Sequence, residues 1–345
     1  MADGVELTIV VPCYNEEAVI VESADRLRAC INKMILAGKI SRNSRILLVN
    51  DGSSDATWDL IQGLCAKDTL FCGLSLSRNF GHQAALLAGL HIAPGEAVIS
   101  IDADLQDDLE AMEQMMDRFL EGYDVVYGVR RARNVDGLFK RVTALGFYRL
   151  MGLLGTRTVH NHADYRLMSR RAIEALRDYH EANLFLRGIV TLVGFRSTTV
   201  MYDRHKRLAG ETKYPLRKML ALTLSAITSF SSVPLRLISL TAMLGILILV
   251  AVALWVIWAR IFTNLGVPGW ASILLPVLFI GFLNLLAIGV LGEYMAHIFD
   301  EVKARPRYIV ADTKNLWVSK RGEPGTPISA EDFVGREVRA YETRV

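Results

Sequence analysis

Apolar and polar positions alternate in two distinct rhythms along the first two hundred residues. Short apolar runs at 7–11, 46–49, 97–101 and 124–127 have the length and β-branched content of buried strands. Between them, 16–35, 56–66 and 109–121 carry apolar residues at helical spacing. Strands alternating with helices predict an α/β domain whose mainly parallel sheet is covered on both faces. Such sheets bind ligands at the carboxyl ends of their strands.

The rhythm changes after residue 230. An uncharged segment at 237–259 is long enough to cross a bilayer as a helix. A Gly/Pro/Trp-bearing turn at 266–270 leads to a second uncharged stretch at about 271–292, which closes at Glu293. Two spans with a short turn make a hairpin. Arg217, Lys218 and Arg236 precede it and Lys303, Arg305 and Arg307 follow it, whereas the turn side has only Arg260, so both flanks are expected in the cytoplasm. Ahead of the hairpin, 214–234 mixes apolar residues with cations and hydroxyls, as a helix lying in the membrane interface does. The expected division is therefore a catalytic domain at 1–213, an interfacial segment at 214–234, spans at 235–260 and 270–296, and a polar tail at 297–345.

Composition narrows the partners. With 39 Lys+Arg against 36 Asp+Glu the net charge is +3, which gives no footprint for nucleic acid. Cys13, Cys30, Cys65 and Cys72 show neither Cys-x-x-Cys nor zinc spacing and read as reduced thiols. The first residues carry no basic and apolar signal pattern, so the amino-terminal domain is expected to stay in the cytoplasm.

Chemistry-bearing residues fall just after the predicted strands. The first strand runs into Pro12-Cys13-Tyr14-Asn15-Glu16-Glu17, the second into Asn50-Asp51-Gly52-Ser53-Ser54-Asp55, and a later one into Asp102-Ala103-Asp104. In extended chain, residues two apart face one way, so Asp102 and Asp104 can present two hard oxygen ligands to one Mg²⁺ or Mn²⁺. Asn15 and Ser54 read as helix caps, with Glu17 and Asp55 as first-turn acids. Ser77-Arg78-Asn79-Phe80-Gly81-His82-Gln83 stands where a helix would start, a natural anion site. His82 itself is equally read as an ordinary polar helix residue.

These three turns resemble those of the family 2 glycosyltransferases of GT-A fold. The resemblance implies a GT-A Rossmann-like domain that uses a nucleotide-diphosphate sugar and a divalent metal held by Asp104 and Asp102. It implies a nucleotide-sugar pocket formed by Pro12, Tyr14, Glu16, Asp51, Arg78, Gly81 and Asp102, with Asp51 at the uridine-like end. His162-Ala163-Asp164-Tyr165-Arg166-Leu167 is similar to the segment in which lipid-phosphate glycosyltransferases place a catalytic carboxylate, which makes Asp164 the expected base. A phosphate monoester is already largely dianionic at neutral pH, so Asp164 has three other readings: orienting the acceptor, stabilising positive charge that develops on the sugar, or a salt bridge with Arg166. Arg204, Arg207 and Lys213, in a basic run ahead of the interfacial segment, and Arg130 after a strand are the expected acceptor-phosphate contacts; a membrane-apposed basic patch is the other reading of the run, and a solvated loop that of Arg130.

From the amino terminus to about Asp312 the order of parts resembles the polyisoprenyl-phosphate glycosyltransferases, which include bactoprenol glucosyltransferases and relatives of dolichol-phosphate mannose synthase. That resemblance implies inverting hexosyl transfer from UDP-glucose or UDP-GlcNAc to undecaprenyl phosphate, by a multi-pass inner-membrane homo-oligomer, a tetramer. A GDP-mannose-using polyprenyl-phosphate mannose synthase is the alternative. A processive polysaccharide synthase lacks its Gln-x-x-Arg-Trp motif here, and a transport or scaffold subunit lacks repeated intramembrane charge. Asp108, where relatives commonly have proline, and His162-Ala163, where many have glycine, depart from the pattern.

Overall fold

The structure, a computed structural model, describes residues 4–131, 162–181, 186–203, 270–318 and 326–327, with isolated positions between 238 and 262. The chain divides into two compact units, one of 1–144, 157–213 and 306–345 and one of 145–156 and 214–305.

The first unit is built on an eight-stranded sheet. Its elements in chain order are β1 (Leu7–Cys13), α1 (Ile20–Leu36), β2 (Arg45–Asn50), α2 (Thr57–Lys67), β3 (Phe71–Leu76), α3 (His82–Ile92), β4 (Ala97–Ser100), α4 (Glu110–Leu120), β5 (Val125–Arg130), β6 (His162–Ser169), α5 (Arg170–Arg177), α6 (Leu186–Leu192), β7 (Ser197–Tyr202) and β8 (Val310–Lys314). The strand order is β7-β5-β6-β4-β1-β2-β3-β8. β4, β1, β2 and β3 run parallel, and β5 is parallel to β7. β6 lies antiparallel between β4 and β5, and β8 is antiparallel to β3. This is the mixed α/β architecture with a mostly parallel sheet that the sequence led us to expect. β1 has β2 on one side and β4 on the other, so the order reverses there and opens a crevice at the strands' carboxyl ends.

Every residue of β1 is buried, as befits a central strand with helices on both faces. α3 lies close against it. A Cβ on Gly89 would meet Val10 Cγ1 at 2.3 Å and Val49 Cγ2 at 3.0 Å, so only glycine lets the helix sit at this depth. Seven consecutive residues of α3, 84–90, are buried, which is why this helix shows no amphipathic stripe.

β8 was not expected, because it falls in the stretch read as a polar tail. It completes the sheet edge next to β3, and Asn315 just beyond it donates through Nδ2 to the carbonyls of Cys65 (2.6 Å) and Phe71 (3.1 Å). Two short strands, β9 (Trp317–Val318) and β10 (Thr326–Pro327), pair with each other.

In the second unit, α7 (Trp270–Lys303) is a continuous helix of 34 residues. It carries on past the expected end at 296, because Glu293 does not stop it; that carboxylate faces His297 at i+4 within the helix, 3.9 Å away. Its window Phe279–Lys303 has mean hydropathy 1.7 with no part buried, and it is long and apolar enough to cross a membrane. Among the described residues it is the one helix that meets this test. Every described position from 238 to 262 is helical, and Leu244, Leu247, Trp255 and Phe262 are exposed. The interfacial segment 214–234 and the greater part of the first expected span lie outside the described residues.

Candidate active site

Three turns meet at the carboxyl ends of β1, β2 and β4. The first two are tied to each other. Asn15, at φ +54°, accepts the Ser54 amide at 2.9 Å, and its own amide donates to Ser53 Oγ at 3.0 Å. The Glu17 carboxylate accepts the Ala56 amide at 3.0 Å, while Asp55 accepts the Glu17 amide at 3.2 Å. Asn15 and Ser54 are thus braces between turns and not helix caps; α1 and α2 start later, at Ile20 and Thr57, without side-chain caps on Val19 and Ala56. Bonding to the neighbouring turn satisfies these groups in place of their own helices. Tyr14 projects from this braced pair, 47% exposed, with Glu16 half-buried beside it. Pro12 is buried within β1.

Asp51 closes the end of β2 in a way the sequence did not reveal. Only 2% exposed, it accepts the Phe80 amide at 2.8 Å on one oxygen and the Gly81 amide at 2.9 Å on the other. Burial pushes its carboxyl upward, and the two amides with the nearby His82 and Arg78 oppose that push. The anion attracted to the start of α3 is therefore the protein's own Asp51. Gly81 serves as a clamp point and its amide is already taken. Arg78 stays exposed, with its guanidinium over the Phe80 ring at 3.9 Å from the centroid.

β4 ends at Ser100, so Asp102 and Asp104 lie in the turn beyond the strand and not in the ladder. The alternation nevertheless persists: Ala103 is buried and both aspartates are half-buried. Burial raises the Asp102 pKa; His82 pulls it down, while Asp107, Asp164 and Asp104 push it further up. That mutual repulsion is what a divalent cation would relieve. Two half-buried carboxylates also supply hard oxygens and leave room for waters and phosphate, as Mg²⁺ and Mn²⁺ require. No group of three ligating side chains that could hold a metal is present among the described residues. Gln106, two residues on, is 4% exposed and its Nε2 has no partner among the described residues, a buried donor that a phosphate oxygen or water would satisfy. Leu105 turns the chain at φ +42°, held there by a side chain only 2% exposed.

Asp164 reaches this crevice through strand register. The β4–β6 pairing runs from Ala97↔Ser169 to Ser100↔Arg166, and its continuation sets position 164 opposite 102. His82, the first residue of α3, stands between them: its Nε2 is 3.5 Å from Asp102 Oδ1 and 3.7 Å from Asp164 Oδ2. Burial disfavours its imidazolium, but the two carboxylates outweigh this and raise its pKa.

Asp164 itself is 6% exposed and saturated with donors. Arg166 Nη2 donates to Oδ1 at 2.6 Å, Arg187 Nε to Oδ1 at 3.2 Å, Arg187 Nη2 to Oδ2 at 3.0 Å, and Gln83 Nε2 to Oδ2 at 3.1 Å. Burial would raise its pKa, yet His82, Arg166 and Arg187 hold it well below the usual carboxylate range. The two guanidiniums and the Gln83 amide on its oxygens are the geometry of the salt-bridge reading, with Arg187 joining Arg166 in the bridge. Arg187 has no place among the expected site residues, and Gln83 enters only as the last residue of the 77–83 segment, without its contact to Asp164. No motif marks them, since their role comes from α6 and α3 converging on the end of β6.

Arg130, at the end of β5, donates to Tyr202 Oη at 3.1 Å and to the buried Asp107 at 3.3 Å, and remains one-third exposed. Asp108, the departure from proline, accepts the Glu110 amide at 2.9 Å at the start of α4, so it organises the helix end by hydrogen bond. Arg204, Arg207 and Lys213 lie outside the described residues.

Known proteins share this sequence over most of its length. It is 50% identical over 308 residues to the uncharacterized glycosyltransferase YkoT of Bacillus subtilis (strain 168), covering 88% of this chain and 90% of that protein. It is 37% identical over 316 residues to the prophage bactoprenol glucosyl transferase homolog of Escherichia coli (strain K12), covering 90% and 99%. It is 38% identical over 320 residues to the SfII prophage-derived bactoprenol glucosyl transferase of Shigella flexneri, covering 92% and 100%. Residues 8–177, from β1 to the end of α5 and including the three turns and Asp164, match Glycosyl transferase family 2. The chain belongs to glycosyl transferase family 2 and is a glycosyltransferase.

Proposed function

We propose that the protein transfers a hexose, with inversion, from a nucleotide-diphosphate sugar to a polyisoprenyl phosphate at a membrane, with UDP-glucose or UDP-GlcNAc as donor. The observation that carries this reading is the joining of two features in one chain. A crevice of carboxylates and arginines lies at the strand ends, and an exposed apolar helix follows in sequence. Near-full-length similarity to proteins named bactoprenol glucosyl transferase supports the lipid acceptor and favours glucose. A catalytic unit on the cytoplasmic face of the inner membrane, with 235–260 and 270–296 as a pair of spans, agrees with the distribution of basic residues.

In this reading Tyr14 and Glu16 border the nucleotide, and Asp102 with Asp104 would hold Mg²⁺ or Mn²⁺. The metal, when bound, supplies charge neutralisation for the departing diphosphate. An oxygen of the acceptor phosphate bonds to the anomeric carbon as the bond from that carbon to the diphosphate oxygen breaks, and the electron pair leaves with the nucleoside diphosphate. No proton needs to move, because the acceptor is already ionised with a second pKa of about 6. The saturated Asp164 is consistent with a site that holds no base.

The test is transfer of label from UDP- and GDP-sugars to undecaprenyl phosphate by detergent-solubilised protein with Mg²⁺ or Mn²⁺. Transfer from a UDP-sugar, abolished by chelator and by Asp104→Asn, is expected. Transfer from GDP-mannose alone would replace the donor assignment, and nucleotide binding without lipid labelling would remove the acceptor.

A further inference from the structure

Asp164 is over-compensated. One buried carboxylate receives two guanidiniums, and the two differ in where they sit: Arg166 is fully buried, while Arg187 is 44% exposed. The carboxylate balances one of these charges and leaves one positive charge in surplus, carried on the member that reaches the surface. Two bonds from Arg187, through Nε and Nη2, fix its fork on Asp164 and set the plane of the guanidinium. Gln83 braces the same arrangement, donating to Asp164 at 3.1 Å and accepting the Leu186 amide at 3.3 Å, one residue before Arg187. Arg187 also lies within electrostatic reach of both Asp102 and Arg130. Its surplus charge is therefore delivered beside the crevice where phosphates must gather.

We propose that Arg187, fixed by Asp164 and Gln83, is a phosphate-binding residue of the active site, and that Asp164 is its positioning residue and not a base. Its ligand is a phosphate group, either the donor's diphosphate or the acceptor's phosphomonoester, and a planar fork suits either through paired hydrogen bonds. This inference rests on the glycosyl-transfer reading above and adds which residue meets the phosphate.

The test compares the full-length solubilised protein with Arg187→Gln and Arg187→Lys. UDP affinity in the presence of Mg²⁺ is titrated, and KM is measured for the donor and for undecaprenyl phosphate. Arg187→Gln is expected to weaken one phosphate ligand by roughly 10- to 100-fold, with Arg187→Lys recovering part of the loss. A rise in the lipid KM alone assigns the acceptor phosphate, and a loss of UDP affinity alone assigns the diphosphate. Unchanged affinities, or a fall in kcat with both KM values unmoved and Lys no better than Gln, would overturn the proposal. If the unaltered protein labels no lipid yet Arg187→Gln still weakens UDP, the acceptor reading falls while this one stands. Should Arg187→Gln not fold, modification of the unaltered protein by an arginine reagent decides: protection of Arg187 by UDP with Mg²⁺ or by the lipid phosphate supports the role, and protection by neither rejects it.

Discussion

Gly52 shows how closely the site turns are stacked. It stands at φ +64°, and a Cβ there would lie 2.3 Å from the Arg78 carbonyl carbon and 2.5 Å from the Asn79 nitrogen. Backbone cannot step aside as a side chain can, so Gly52→Ala should push the 77–82 turn away from β2 and break the Asp51 clamp. We expect lost UDP binding and a fall of roughly 2 kcal/mol in stability, read by titration and thermal unfolding. Asp164 gives a second residue-scale outcome. If it served only as a base, Asp164→Asn would silence transfer and leave folding untouched. Because Arg166 is fully buried against it, removing the charge leaves an uncompensated guanidinium, and the loss should approach about 3 kcal/mol, visible as a lower Tm. The pH dependence has a definite sign. A carboxyl whose folded pKa is depressed contributes stability above its unfolded value near 4, and that contribution fades as pH falls toward the folded value. The gap in Tm between the unaltered protein and Asp164→Asn should therefore be full at pH 6 and narrow below pH 4.

At the scale of elements, α3 links packing to chemistry, since Gly89 seats it on β1 and its first two residues, His82 and Gln83, face Asp164. Gly89→Val should lift it, because Val10 is β-branched and yields little; we expect a loss of about 1–3 kcal/mol and a rise in donor KM from a substitution remote from substrate. The elements with a regular pattern were legible from sequence: β1, β2, β4, β5, α1, α2 and α4 stand within a few residues of their expected bounds. β3 was missed because Gly73 interrupts its apolar run, and β8 because Asp312, Thr313 and Lys314 look like solvent-facing tail until an edge strand claims them. The acidic turns could be read from residue type and position. What each acid does could not, since Asp51 and Asp164 differ from Asp102 in the burial and the donors that tertiary packing brings to them.

For the whole molecule, α7 is about 51 Å long at the standard helical rise, well beyond a hydrocarbon core of about 30 Å. Phe279, Phe282, Leu285, Leu286, Ile288 and Leu291 are exposed apolar side chains, and among the described side chains of this helix charge enters only from Glu293 onward. The full chain should accordingly sediment with membranes, resist extraction at high salt and alkaline pH, and enter solution only with detergent; release by salt alone would contradict a spanning role. The closing strand of the sheet adds a constraint in time. β3 gains its outer neighbour from residues that follow α7, some 244 positions along the chain by the Asn315–Phe71 bond. At a synthesis rate of about 5–20 residues per second, roughly 12–50 seconds pass before that neighbour exists. Through that interval the ribosome-bound chain carries a bare strand edge, open to chaperones or to other nascent chains. The finished edge is available only after the apolar helix has been made, so the sheet of the first unit closes last.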